Sequence, residues 1–374
     1  MAFRVTELVG AEFPLFGFSH CRDVVAAVSR AGGFGVLGAS GHSPEALEHE
    51  LAWIDAHVDG KPYGVDVLIP EHQAVAAGTS TADIAAMVPL EHRAFVAGLL
   101  NDAGIGADED QLTRSNRTPG TMAGDALMDV AFRHPIRLIA NALGIAPASM
   151  IERGRRHGVP VAALVGAKEH ALRQVNAGVD LLVAQGTEAG GHCGEVSTLV
   201  LVPEVIRAIR PIRDVPVLAA GGIMTGAQMA GMMAMGAAGV WTGSVWLATS
   251  ESETSEIFKE KLVAASSRGT VRSAYRTGKP SRQLRSAWHD AWEAAGAPGS
   301  LPMPLMGMIS EPAMGLIEKA AANGNPQARE LVTYFVGQGV GLIEGVKSAT
   351  TVVQEFKEDF AAAAGDFFAA IETT

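Results

Sequence analysis

The stretch from Val215 to Ser250, VPVLAAGGIMTGAQMAGMMAMGAAGVWTGSVWLATS, contains no charged residue and is long enough to cross a bilayer. Its interior decides against a membrane span. Gly221, Gly222, Gly226, Gly231, Gly236, Gly239 and Gly243 divide it into an apolar strand, a Met/Ala-rich helix and a second strand. Buried strand and helix segments of a parallel α/β fold carry this kind of continuous apolar run, because both faces of the sheet are covered.

Working outward, the same unit recurs. HGVPVAALV, AGVDLLVAQ and AAGVWTGSV each place a glycine at a helix end before a β-branched strand. Strands are predicted at Phe13 to Phe18, Gly33 to Leu37, Tyr63 to Leu68, Ile136 to Ala140, Val159 to Leu164, Val179 to Ala184, Val215 to Ala219 and Val240 to Val245. Amphipathic stretches such as CRDVVAAVSRAG, PASMIERGRRHG and KEHALRQVNAG lie between them. Eight strands with helical crossovers point to an α/β fold of the (β/α)8 TIM-barrel class, with an open doubly wound sheet as the alternative. GFGVLG at Gly33 to Gly38 formally fits G-x-G-x-x-G, yet it follows a helix and is itself a strand, the reverse of a dinucleotide-binding turn.

Two stretches exceed a plain barrel. Glu71 to His134 is a long insertion between the third and fourth strands, holding EHRAFVAGLLNDAG and the polar run QLTRSNRTPGTMAGD, and connections of that length commonly act as lids. Residues 251–333 read as a small inserted domain over the mouth. The barrel then comprises 1–250 and 334–374, with VGQGVGLIEGVKSATTVVQEF expected as a closing helix.

Composition narrows the function classes. Of 374 residues, 29 are Lys or Arg and 40 Asp or Glu, so the chain carries −11 and lacks the basic footprint that nucleic acid requires. With 48% hydrophobic and 18% charged residues, there is apolar surface for a large core. Two distant cysteines, Cys21 and Cys193, make neither a disulfide framework nor a thiolate zinc site, and the amino terminus has no signal-peptide pattern; a cytoplasmic protein is expected. No H-E-x-x-H, G-x-S-x-G or P-loop occurs, so no metal is expected.

In a barrel of parallel strands, chemistry gathers at the carboxyl-terminal face. The sixth strand runs into GTEAGGHCG, with Gln185 at its tip and Gly190 and Gly191 before His192. A plain turn would use the glycines without needing Gln185, Glu188 and His192. The seventh ends in Gly221 and Gly222, the eighth in Trp241, Thr242, Gly243 and Ser244. Gly-rich loops in these two places, free of carboxylates, favour a bound phosphate held by backbone N–H groups, although helix packing also selects small residues. His192 is the candidate general base, since an imidazole is substantially unprotonated near neutrality. Cys193 beside it is a weaker candidate nucleophile, because sequence neighbours at a turn point apart.

AQGTEAGGHCG (Ala184 to Gly194), AAGGI (Ala219 to Ile223), WTGS (Trp241 to Ser244), GKPSR (Gly278 to Arg282) and GQGVG (Gly337 to Gly341) together resemble the nitronate monooxygenase family, formerly called 2-nitropropane dioxygenases. The first stretch is shared mainly with the flavin-dependent enoyl-acyl-carrier-protein reductases. The resemblance implies non-covalent FMN in the barrel. Gln185 would contact the flavin, Gly190, Gly222 and Trp241 to Ser244 would line the ribityl phosphate with Gly191 and Gly221 in the same turns, and His192 would be the base. The implied reaction oxidises an alkyl nitronate with O2 to a carbonyl compound and nitrite. A second reading is an NAD(P)H-dependent flavin reductase of an enoyl thioester, with His192 as acid; a third is a flavin-binding protein without turnover. The expected partners are a small-molecule substrate (nitronate or acyl thioester) with O2 or NAD(P)H, and homo-oligomer formation stays open.

Two positions depart from the family pattern. Where P-[IL]-x-x-A-P-M is usual, Pro14-Leu15-Phe16-Gly17-Phe18-Ser19-His20 stands, without the methionine that lies against the flavin. In GVDVLIP, Asp66 occupies the place of an asparagine that meets the flavin. A carboxylate there would oppose an electron-rich reduced flavin unless protonated or paired.

Overall fold

The computed structural model describes residues 3–69, 80–109, 112 and 124–372. The long polar run ending at Asp125 lies mostly outside these described residues. Eight parallel strands close into a barrel: β1 (Leu15–Ser19), β2 (Phe34–Gly38), β3 (Tyr63–Val67), β4 (Leu138–Asn141), β5 (Val161–Val165), β6 (Leu181–Gln185), β8 (Val217–Ala220) and β9 (Gly239–Thr242), with β9 returning to pair with β1. Between β6 and β8 the two-residue β7 (Gly191–His192) joins β10 (Thr270–Ser273) and β11 (Ser281–Leu284) in a separate antiparallel sheet. All eight predicted strands are the barrel strands, connected by helices.

Five predicted strand starts fall two residues early, at Phe13, Ile136, Val159, Val179 and Val215. Val159 and Val179 are buried, but Val159 N–H bonds to Gly154 O and Val179 N–H to Gln174 O. Their backbones therefore finish the preceding helix, and an apolar lead-in is indistinguishable from a strand by periodicity alone. The last strand also stops early. After Thr242 the chain turns into a 3-10 helix (Ser244–Ala248), fixed by Trp246 Nε1 donating to Thr242 O at 3.0 Å.

Strand alternation sorts side chains into two cores. Phe16, Phe34, Val36, Leu138, Ala140, Ala162, Leu181, Val183, Leu218, Ala220 and Trp241 fill the barrel interior, while the opposite faces pack beneath the helices. A short helix (Arg4–Val9) closes the amino-terminal end, with Val5 and Val9 buried in the interior cluster. Each contributes on the order of 2 kcal/mol by burial.

Residues beyond the plain barrel form another apolar core. Ile84, Val96, Leu100 and Leu112 from the insertion after β3 pack with Trp288, Trp292, Met306, Ile309 and Ile317 from the segment after β9. The helix Gly124–Ala131, at the end of the same insertion, packs instead on the barrel helix Pro44–His57. The expected closing helix starts later than its sequence stretch and runs beyond it, over Ala349–Glu372. GQGVG forms a 3-10 turn (Gln338–Leu342), because Gly337 N–H donates to Ser244 Oγ at 2.8 Å and Gln338 N–H to Glu188 O at 2.8 Å.

Candidate active site

All barrel strands are parallel, so the loops after β1, β2, β3, β6, β8 and β9 share one mouth. In the cyclic strand order β2 lies opposite β6, which gives the mouth two rims.

The β6 rim is built from backbone. Gly190 packs so closely on the chain at Val336 and Gly337 that a Cβ would stand 2.8 Å from Gly337 N, and Gly221 and Gly222 adopt φ of 108° and 73°. A Cβ at Gly191 would meet nothing within 4 Å, and one at Gly243 only the edge of Phe18 at 4.0 Å, so bare backbone borders open space at both. Gln185 is the last residue of β6, on the inward face with Leu181 and Val183. Glu188 is spent on structure: its Oε2 accepts from Thr198 N–H and Oγ–H, both at 2.9 Å, at the start of the helix Thr198–Ile209. A carboxylate there complements the helix dipole and leaves the neighbouring glycine turns without a free anion.

Trp241 points inward, stacked over Phe16 and Phe18 at centroid distances of 6.1 and 6.2 Å, and floors the mouth. Thr242 points the other way. Its hydroxyl donates to Phe16 O at 3.0 Å and accepts from Trp246 Nε1, so its side chain serves the barrel wall and offers a ligand nothing. Ser244 accepts from Gly337 N–H and retains its own hydroxyl proton to donate.

His192 is held from the other core. It pairs with Ser281 across β7 and β11, while Arg282 Nε donates to Thr187 O at 2.9 Å. Its Nε2 lies 2.8 Å from Thr277 Oγ1. Protein surrounds the ring on most sides, although it remains exposed on the mouth, and this crowding together with the Lys279 ammonium pushes its pKa down to about 4. Water on the open face moderates that shift without reversing its sign. Cys193 is turned away, its Sγ 3.5 Å from Thr187 O, and burial pushes the thiol up, which disfavours a thiolate nucleophile.

The opposite rim is built from side chains. Asp66 shares the inward face with Gly64, whose Cβ position meets Phe34 and Leu138 of the interior. Asp66 is buried, its Oδ1 has no partner, and burial, partly offset by a backbone hydrogen bond from Ala142, pushes the carboxyl well above the usual carboxylate range. Asp66 pairs with Gly38 on β2, and His20 lies over Gly38 from β1, donating Nδ1–H to Gly38 O at 2.9 Å. The two departures from the family pattern are thus neighbours across one glycine.

These residues fit a phosphorylated flavin: open glycine edges for a phosphate, an aromatic floor, and an unpartnered buried polar atom facing inward. Among the described residues no cluster of three or more metal-ligating side chains occurs, and no helix is long and apolar enough to cross a membrane. Thr277, Lys279 and Arg282 were not singled out by spacing, their local signal being the GKPSR stretch, and His20 stood out only as the residue in place of the missing methionine.

A Mycobacterium tuberculosis protein named "Putative monooxygenase Rv1533" is 53% identical over 367 residues, covering 96% of each chain. A Staphylococcus saprophyticus "Probable nitronate monooxygenase" is 29% identical over 301 residues, 76% of this chain and 79% of that one. Nitroalkane oxidase from Streptomyces ansochromogenes shares the fold, with a TM-score of 0.78 at 24% identity over 97% of this chain and 99% of that one. The nitronate monooxygenase family pattern itself matches residues 14–359, from the strand that opens the barrel into the helix that closes it. Membership makes the protein an oxidoreductase and implies a flavin cofactor. Site geometry and sequence pattern cover the same loops, and the chain belongs to the nitronate monooxygenase family.

Proposed function

We propose that the protein is an FMN-dependent nitronate monooxygenase that oxidises alkyl nitronates with O2 to carbonyl compounds and nitrite. The observation that carries this reading is His192: an uncharged imidazole, open to the mouth, beside glycine turns suited to a phosphate. Bound FMN supplies the electron acceptor and the site of O2 reaction. The chain supplies the rest. Backbone at Gly190, Gly191, Gly221, Gly222, Gly243 and Ser244 would hold the phosphate, with the Trp241 and Thr242 main chain beside it, and Gln185 and Asp66 would meet the ring system. When the substrate is a neutral nitroalkane, His192 takes the proton from the carbon beside the nitro group. The Lys279 ammonium favours the resulting anion, as it disfavours the imidazolium.

On this reading residues 1–250 and 334–374 form the cofactor barrel, and 251–333 form the cap, joined by the part of the 71–134 insertion that shares its apolar core. Two unpaired cysteines suit a reducing, cytoplasmic setting.

The test is anaerobic mixing of the purified, flavin-loaded protein with a nitronate, then separately with NADH and NADPH. Bleaching of the flavin absorbance by the nitronate alone is expected. Rapid bleaching by a nicotinamide would replace this reading with the enoyl-thioester reductase, and protein unable to take up FMN would end both.

A further inference from the structure

We propose that Thr277 is a positioning residue that fixes the tautomer of His192, placing the proton on Nε2 and leaving Nδ1 as the basic nitrogen. The inference rests on the reading of His192 as the base.

Three hydrogen-bond distances meet at one hydroxyl. Thr277 Oγ1 lies 3.0 Å from Lys279 O, 3.3 Å from Lys279 N and 2.8 Å from His192 Nε2. A threonine hydroxyl has one proton to give and two lone pairs to receive with. Lys279 O can only accept, so it takes the proton. Lys279 N–H can only donate, so it takes one lone pair. The remaining lone pair faces Nε2, which must then carry hydrogen. The opposite assignment, Oγ–H donating to Nε2, would leave two oxygen acceptors 3.0 Å apart with no proton between them, an uncompensated polar contact.

The ring itself is uncharged through the physiological range, so it has a single N–H to place. Among the described residues no hydrogen bond is made to His192 Nδ1, and the residue is exposed. The lone pair is thus not engaged by the protein.

The arrangement is held from two sides. His192 is fixed by its strand pairing with Ser281. Thr277 belongs to the turn between β10 and β11, where a Cβ on Gly278 would stand 2.4 Å from Met303 N and 2.5 Å from Leu301 O, so the turn is seated on the 301–303 segment. The opposite rim carries the mirror choice: His20 donates through Nδ1 to a carbonyl.

The test is 15N NMR of the flavin-loaded, histidine-labelled protein at neutral pH, with the His192 signals assigned by their loss in H192N. Wild type and T277S are expected to show the Nε2–H tautomer. T277V is expected to lose between about tenfold and 100-fold in kcat on a neutral nitroalkane, with little change in KM and little change on a preformed nitronate, and T277S to recover most of it. An Nδ1–H signal in wild type, or unimpaired nitroalkane turnover in T277V, overturns the proposal. If T277V does not fold, wild type and T277S decide by the tautomer alone. Failure of the underlying reading is separate: H192N would then retain nitroalkane turnover whatever the tautomer.

Discussion

The two rims of the mouth solve different problems with different parts of the polypeptide. On the β6, β8 and β9 side, glycine backbone faces open space, and the nearby polar side chains are mostly bound to the protein itself: Glu188 to Thr198, Thr242 to Phe16 and Trp246. On the β1, β2 and β3 side, the space is shaped by Phe18, His20 and Asp66 around Gly38. The ribityl phosphate of FMN is the same whatever the substrate, and backbone N–H groups recognise it without regard to side-chain identity. On the proposed reading the other rim would meet ring and substrate, where one side chain alters polarity and shape. It is also where both departures from the family pattern fall. The difference teaches that family membership carries the cofactor-holding rim more securely than it carries the substrate.

The contrast breaks most readily at the histidines. H192N is expected to lower kcat/KM for a neutral nitroalkane by about 100-fold or more, the usual range for a general base, while the preformed nitronate loses less than about tenfold. H20N should change either substrate by less than about tenfold. Steady-state kinetics at matched flavin content decide this, and equal losses for both variants would remove the assignment of the base to the β6 rim.

Glycine substitutions come next in size. G190A puts a methyl group against main chain at Val336 and Gly337, which cannot swing aside, at a cost of about 1–3 kcal/mol, or about tenfold to 100-fold in FMN affinity. G38A has as its nearest neighbours the His20 ring at 2.6 Å and the Phe18 ring tip at 2.8 Å. Those side chains can rotate, so FMN should stay and substrate preference shift. Equilibrium dialysis reads the first effect and a substrate panel the second; FMN loss in G38A comparable to that in G190A would merge the two rims into one site.

A smaller effect is the acid limb. The lowered pKa of His192 means that its basic form persists as pH falls from 7 and is lost only on approaching about 4. Nitroalkane turnover should therefore stay level well below pH 6.5, where an ordinary histidine would already be half protonated. K279Q should move the fall toward higher pH, by removing the second cause of the depression. A wild-type profile that falls near 6.5 would show that water on the open face cancels the shift.

The sequence and the structure agree where physics is local. The place of Gln185 at the end of β6 and of Gly190 and Gly222 in glycine turns was legible because strand ends and turns are written in contiguous residues. The barrel was legible because most crossovers repeat one pattern. What escaped was long-range. Thr277 reaches His192 across 85 residues of chain and Arg282 reaches Thr187 across 95. The core uniting Ile84 and Val96 with Trp288 and Ile317 joins two insertions whose separate apolar patterns carry no sign of each other. The plug at Val5 and Val9 spans too few residues for periodicity to identify what it covers.

The finest test of the two-rim contrast is Asp66, and it works through stability. A carboxyl whose folded pKa is raised binds its proton in the folded state at pH values where the unfolded chain has already released it. Linkage then makes stability fall as pH rises from about 4, the unfolded value, through the raised folded one. An asparagine at this position would have nothing to titrate. D66N should therefore equal wild type below about pH 4 and exceed it at neutral pH, by on the order of 1 kcal/mol in urea denaturation of the flavin-free protein. With FMN bound, asparagine offers an N–H where the protonated acid offers an O–H, so cofactor affinity should change by less than about tenfold, whereas D66A, which offers neither, should weaken it more. If D66N is instead destabilised at neutral pH, Asp66 is ionised and paired in the folded protein, and the β3 rim would present the flavin with a charge, not with a neutral donor.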